Sequence, residues 1–142
     1  MSASDSRARR GLQLVRARTE HVARDAGRLR ALADRASAKL KRHSGALGAL
    51  RTDVPVLVRL VRAYAKGDYR KVPWKALLFA AGGLVYFVAP VDLIPDFLVG
   101  TGYLDDAAVI AYVIKSLRDH LDAYRSWEDS QALEADEWAS TR

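Results

Sequence analysis

Apolar positions recur at alternating spacings of three and four from residue 12 to residue 40: Leu12, Val15, Thr19, Val22, Ala26, Leu29, Ala33, Ala36 and Leu40. Ala, Arg and Leu dominate this stretch and no Pro interrupts it, so the spacing predicts one long helix with a heptad seam. The seam is thin, because Thr19, Ala26, Ala33 and Ala36 supply four of its nine positions. The rest of the helix surface is rich in arginine. Such a helix can pack on its own domain, pair with a second helix, or lie on anionic lipid or nucleic acid. Ser44-Gly45 and Gly48 end the pattern.

A second helix starts at Asp53-Val54-Pro55, where Asp53 can cap and a proline in the first turn gives up no needed donor. Val54, Leu57, Val58, Val61 and Ala65 share one face, widened by Leu60 and Tyr64, with Arg59, Arg62 and Lys66 opposite. Gly67 ends it. Pro73-Trp74 opens a third helix, and the 16 residues from Ala76 to Val91 contain no charged side chain. A helix apolar on every side is buried all round, in protein or in lipid. Gly82-Gly83 in its middle would cost about 1 kcal/mol each relative to alanine, unless a close neighbour compensates. Pro90 stops or kinks it.

The loop Val91-Asp92-Leu93-Ile94-Pro95-Asp96 follows, with Gly100-Thr101-Gly102 as further punctuation. Tyr103 then begins a fourth helix carrying Asp105 and Asp106 in its first turn, where the helix dipole favours carboxylates. It starts apolar and becomes one-sided, with Leu117, Leu121 and Tyr124 against Arg118, Asp119 and Asp122. Trp127, Leu133 and Trp138 are candidate anchors of a short fifth helix in an acidic tail. No alternation supports a sheet. The class predicted is all-α, a long N-terminal basic helix plus a small bundle built around an apolar helical hairpin. The segments are 1–51, 52–125 with a motif core at 86–106, and the tail 126–142.

Charge sharpens this division. The chain of 142 residues carries +6 from 23 basic and 17 acidic side chains. Residues 1–51 hold 13 basic and 4 acidic groups, and 52–75 hold 6 and 2. Residues 76–114 hold four aspartates and no cation, and 115–142 hold 4 basic and 7 acidic groups. Segments so different in charge have different surroundings.

The chemistry available is narrow. With no cysteine there is no disulfide framework, thiolate metal site or cysteine nucleophile. His21, His43 and His120 lack ligand spacing, and neither a phosphate loop nor a nucleophile elbow is present. No enzyme activity, cofactor or small-molecule substrate is inferred. Asp92, Asp96, Asp105 and Asp106 need partners. They could gather Mg²⁺ or Ca²⁺ or relay protons. The preferred reading is local: Asp92 and Asp96 brace the turn, while Asp105 and Asp106 sit at a helix start, one of them within reach of Arg59, Arg62 or Lys66.

The run Tyr86-Phe87-Val88-Ala89-Pro90-Val91-Asp92-Leu93-Ile94-Pro95-Asp96, followed by Gly102-Tyr103-Leu104-Asp105-Asp106, resembles the YkvA-like family, a bacterial domain of unknown function. Its hallmark is a helical hairpin reading Y-x-x-x-P-x-D-L-I-P-D and then G-Y-x-D-D, in which Pro90, Pro95 and Gly102 are the turn positions. The resemblance covers about a quarter of the chain. It implies a helical hairpin and a membrane-associated habit, and it implies no catalytic activity. Nothing carries over to the basic helix or the acidic tail.

Trp74 to Val91 is 18 residues, about 27 Å as helix against roughly 30 Å of hydrocarbon. The next apolar stretch, Phe97 to Ile114, contains Asp105 and Asp106, each costing about 2.5–3.5 kcal/mol at mid-bilayer when ionised. A shallow hairpin is therefore cheaper than a second span. Lys66, Arg70, Lys71 and Lys75 before the apolar section and Lys115 and Arg118 after it favour the cytoplasmic side for both ends.

The leading expectation is thus a membrane-associated protein, with an integral hairpin as one form and both termini cytoplasmic. Arg16, Arg24, Arg28, Arg35, Lys71 and Lys75 would contact anionic lipid. The alternative is a soluble helical adaptor that self-associates or binds a partner through the 12–40 seam. Nucleic acid is a weaker candidate partner, since residues 1–51 contain no aromatic side chain to stack on bases. Ser2 stands where myristoylation needs glycine, and no apolar run follows the first basic residues, so neither a lipid anchor nor a secretory signal is expected there.

Overall fold

The computed structural model describes residues 3–14, 16–43, 52–88 and 106–140. Among these residues there is no strand, and the elements are seven helices. They are α1 Ala3–Leu14, α2 Arg16–Ala23, α3 Ala26–His43, α4 Asp53–Lys66, α5 Trp74–Val88, α6 Asp106–Ser116 and α7 Arg118–Ser140. The all-α class stands.

The single helix expected over 12–40 is broken at Arg24-Asp25. The Asp25 N–H donates back to the Val22 carbonyl at 3.1 Å. The Asp25 carboxylate accepts the Arg28 N–H, also at 3.1 Å. A short acidic side chain that competes for backbone donors ends one helix and caps the next. The break lets α2 run along α5 while α3 packs on α4 and α5.

The seam itself is occupied within the chain. Leu29, Ala33 and Ala36 are buried in one core with Val54, Leu57 and Val61 of α4 and Leu77, Ala80, Ala81 and Leu84 of α5. Leu12 and Val22 are half-buried against the same core, and Thr19 is buried. Most of the described residues read as a pairing surface thus face the chain's own core, whereas Ala26 is exposed.

Helix α4 follows its sequence signals closely. It ends at Gly67, whose φ of 83° is left-handed and whose N–H turns back to the Ala63 and Tyr64 carbonyls. Only glycine adopts that conformation at little cost. Asp53 does not cap; its carboxylate takes two hydrogen bonds from Arg118, each 3.1 Å. Arg59 grips Glu128 in the same two-pronged way at 2.9 and 3.1 Å. These pairs lay α7 alongside α4, start against start. Arg62 reaches α3 instead, with Asp34 at 2.8 Å and the Ser37 hydroxyl at 3.3 Å.

The acidic tail is the continuation of α7. Trp127 packs against the core, with Tyr69 and Tyr124 centroids 5.1 and 5.7 Å from its ring. Leu133 and Trp138, expected as anchors, are 66% and 60% exposed. Among the described residues the core reaches along α7 as far as Trp127.

Candidate functional site

Helix α5 is the centre of the molecule. Ten of its fifteen residues are buried, among them Gly82, Gly83 and Tyr86. The two glycines do different things. A Cβ on Gly83 would stand 2.9 Å from Val113 Cγ2 of α6, whereas one on Gly82 would meet Leu12 and Thr19 at 3.5 Å and beyond. Gly83 is thus the close approach between the hairpin's two helices. Tyr86, the first residue of the motif, is fully buried beside Ala8 of α1 and Val109 of α6.

The far end of α5 is met by protein. The Lys39 ammonium of α3 donates to the Phe87 carbonyl and lies 4.7 Å over the Phe87 ring. A cation on the last turn of a helix satisfies an orphan carbonyl and complements the dipole. The described part of α5, fifteen residues, is about 22 Å long against roughly 30 Å of hydrocarbon. Among the described residues no helix is long and apolar enough to cross a membrane. The spanning helix expected from Trp74 onward is, as far as it is described, a core helix.

The motif carboxylates can be placed only in part. Pro90, Asp92, Pro95, Asp96, Gly102 and Asp105 lie outside the described residues. Asp106 is the first described residue of α6. Among the described residues no three His, Asp or Glu side chains gather as a metal site.

The cations expected at a membrane surface are all exposed: Arg16, Arg24, Arg28, Arg35, Lys71 and Lys75. Each acidic residue of the N-terminal segment is paired. Asp5 meets Lys115 of α6 at 3.3 Å, Glu20 meets Arg16 at 3.2 Å, Asp25 serves Arg28, and Asp34 serves Arg62. What remains on the outer faces of α2 and α3 is dominated by arginine.

At one edge of this surface the sequence reading missed a residue. Trp74 is 40% exposed, and the Arg24 guanidinium lies 5.8 Å from its ring centroid. Close by, Arg70 stands 4.5 Å from the Tyr64 ring, and these four side chains share one recess. Lys71 and Lys75 flank Trp74 in sequence. The signal was available as the run Arg70-Lys71-Val72-Pro73-Trp74-Lys75, which reads as a helix start but equally as an aromatic among cations. Only the antiparallel run of α2 against α5 brings Arg24 to it.

The opposite edge is structural. Burial pushes the Tyr69 phenol above its ordinary pKa. Tyr124 is pushed well above it, by burial first and by Glu128 second, and its hydroxyl donates to the Arg59 carbonyl at 3.2 Å. The guanidinium of Arg59 is held above its usual range by its hydrogen bond with Glu128, and that of Arg118 by its bond with Asp53.

The profile of a family described as "Protein of unknown function (DUF1232)" matches residues 76–112, a range that includes most of α5 and the first part of α6. The "Uncharacterized membrane protein YkvA" of Bacillus subtilis (strain 168) is 32% identical over 74 residues, covering 52% of this chain and 70% of that protein. No solved structure matches. The fold defines a helical-hairpin protein with its hairpin buried in a bundle. The chain belongs to the YkvA-like family of proteins of unknown function.

Proposed function

We propose that this chain is a non-catalytic helical protein that docks on an anionic membrane surface through the cationic faces of α2 and α3 and the N-terminal end of α5. The observation that carries the reading is Trp74, exposed beneath Arg24 and set between Lys71 and Lys75. An amphipathic ring among cations suits the headgroup layer, where indoles concentrate and each basic residue contributes about 1 kcal/mol of attraction. The membrane designation in the relative's name supports the same reading. With α5 packed against α1 to α4 and α6, docking needs no unpacking of the core. Both ends of the chain stay on one side, and the anionic cytoplasmic leaflet is the surface that its cations favour.

Vesicle flotation tests this. The full chain floats with phosphatidylglycerol-containing vesicles at low salt, stays down with phosphatidylcholine alone, and is released by salt. An alkaline wash of native membranes extracts it. Failure to float with anionic vesicles at low salt overturns the reading, and resistance to the alkaline wash replaces surface docking with insertion of the hairpin.

A further inference from the structure

The side of α5 that faces α1 and α2 is not fully covered. Between the three helices lies an open groove of about 520 Å³, within the ordinary range of about 300–1,000 Å³ for small-molecule sites. Leu12, Leu78, Phe79 and Gly82 make it apolar. The Phe79 ring is braced by Tyr112 of α6, centroid to centroid 5.6 Å. Gly82 has no side chain to fill the space, so the groove persists along the middle of α5.

Its rim has the opposite character. Arg9, Arg16 and Lys75 come from three different helices, and Glu20, held by Arg16 at 3.2 Å, is the one acid among the lining residues. An apolar trough with a net cationic rim is complementary to an anionic head on an apolar chain. A polar metabolite would leave the trough wet, and a neutral lipid would leave the rim unanswered.

We propose that this groove binds one long-chain fatty acid, its chain along Leu12, Leu78, Phe79 and Gly82 and its carboxylate between Arg16 and Lys75. The site shares Arg16 and Lys75 with the docking surface, but Trp74 is not among its lining residues and it needs no membrane.

The test is titration of the full chain with dansyl-undecanoic acid in vesicle-free buffer, with oleate and oleyl alcohol as competitors. One saturable site is expected, displaced by oleate and far less by the alcohol. Gly82→Leu places its first carbon at an ordinary 3.5 Å from Leu12 and the remainder in the trough, so it abolishes probe binding while flotation with anionic vesicles is kept. The double variant Arg16→Glu with Lys75→Glu changes only exposed side chains and weakens oleate by about tenfold or more, the loss expected when two charge-assisted contacts are reversed.

Absence of a saturable signal overturns the proposal. So does unchanged oleate affinity in the charge-reversed variant, which decides the matter even if Gly82→Leu does not fold. Probe binding by a chain that fails to float leaves the groove standing and removes the docking surface; the converse removes the groove alone.

Discussion

Gly83 and Val113 set the distance between α5 and α6: a Cβ on the glycine would sit 2.9 Å from Val113 Cγ2 and 3.2 Å from Cγ1. Val113 is fully buried, so it has little room to retreat. Gly83→Ala gains about 1 kcal/mol of helix propensity and loses about 1–3 kcal/mol to overpacking. We expect net destabilisation. Gly82→Ala has only ordinary contacts to meet and is neutral or stabilising by up to about 1 kcal/mol. Urea denaturation of the two variants checks the opposition, and Val113→Ala should recover part of the Gly83→Ala loss in a double-mutant cycle.

Stability should fall in mild alkali because of Tyr69 and Tyr124. Both phenols have folded-state pKa values raised by burial. Below the unfolded tyrosine pKa of about 10, folded and unfolded chains hold these protons equally and the two groups contribute no pH dependence. Above it the unfolded chain ionises first, so stability is lost as pH rises towards the folded values. Tyr124→Phe should flatten the decline measured by denaturation between pH 9.5 and 11, values bracketing the onset at about 10.

Asp25 should matter more than an exposed residue in an arginine-rich stretch suggests. It closes α2 and caps α3 through the Arg28 N–H at 3.1 Å. Asp25→Ala removes the cap at a cost of about 1 kcal/mol, and Asp25→Asn retains most of it. Chemical denaturation of both variants separates loss of the cap from loss of the charge.

Lys39 secures the other end of the core. Its ammonium donates to the Phe87 carbonyl from a partly buried position. Lys39→Met keeps the apolar stem and leaves that carbonyl without this donor, costing about 1–3 kcal/mol. A midpoint shift in urea with no change in slope is the expected result.

Trp74→Ala should weaken vesicle binding without lowering stability much, since the ring is 40% exposed. An indole entering the headgroup region contributes on the order of 1–2 kcal/mol, roughly tenfold in partitioning. Flotation at graded lipid concentrations measures it. Unchanged partitioning would remove Trp74 from the docking surface.

Several elements were legible from residue pattern because their causes are local. Asp53 to Gly67 reads as a helix with a glycine stop and forms one, because the apolar period and the left-handed requirement at Gly67 are both set within a few residues. Pro73-Trp74 as the start of an apolar helix, and Gly82-Gly83 as a packing device, were equally readable. The interruption at Asp25 was not read, because a heptad count runs through a capping residue without seeing it. The role of Asp53 was mistaken for a cap because its partner, Arg118, is 65 residues away.

What the sequence alone determined is the list of parts: helices, their apolar faces, the segregation of charge, and a resemblance to the family that the comparisons show. What only the tertiary structure decided is what those faces meet. An all-apolar helix satisfies lipid and protein equally, since neither offers water to its side chains. That the described part of α5 packs against α1 to α4 and α6, and is met by Lys39, follows from contacts between distant segments. The same is true of Trp74, which becomes a cation-lined surface only when α2 folds back to bring Arg24 over its ring.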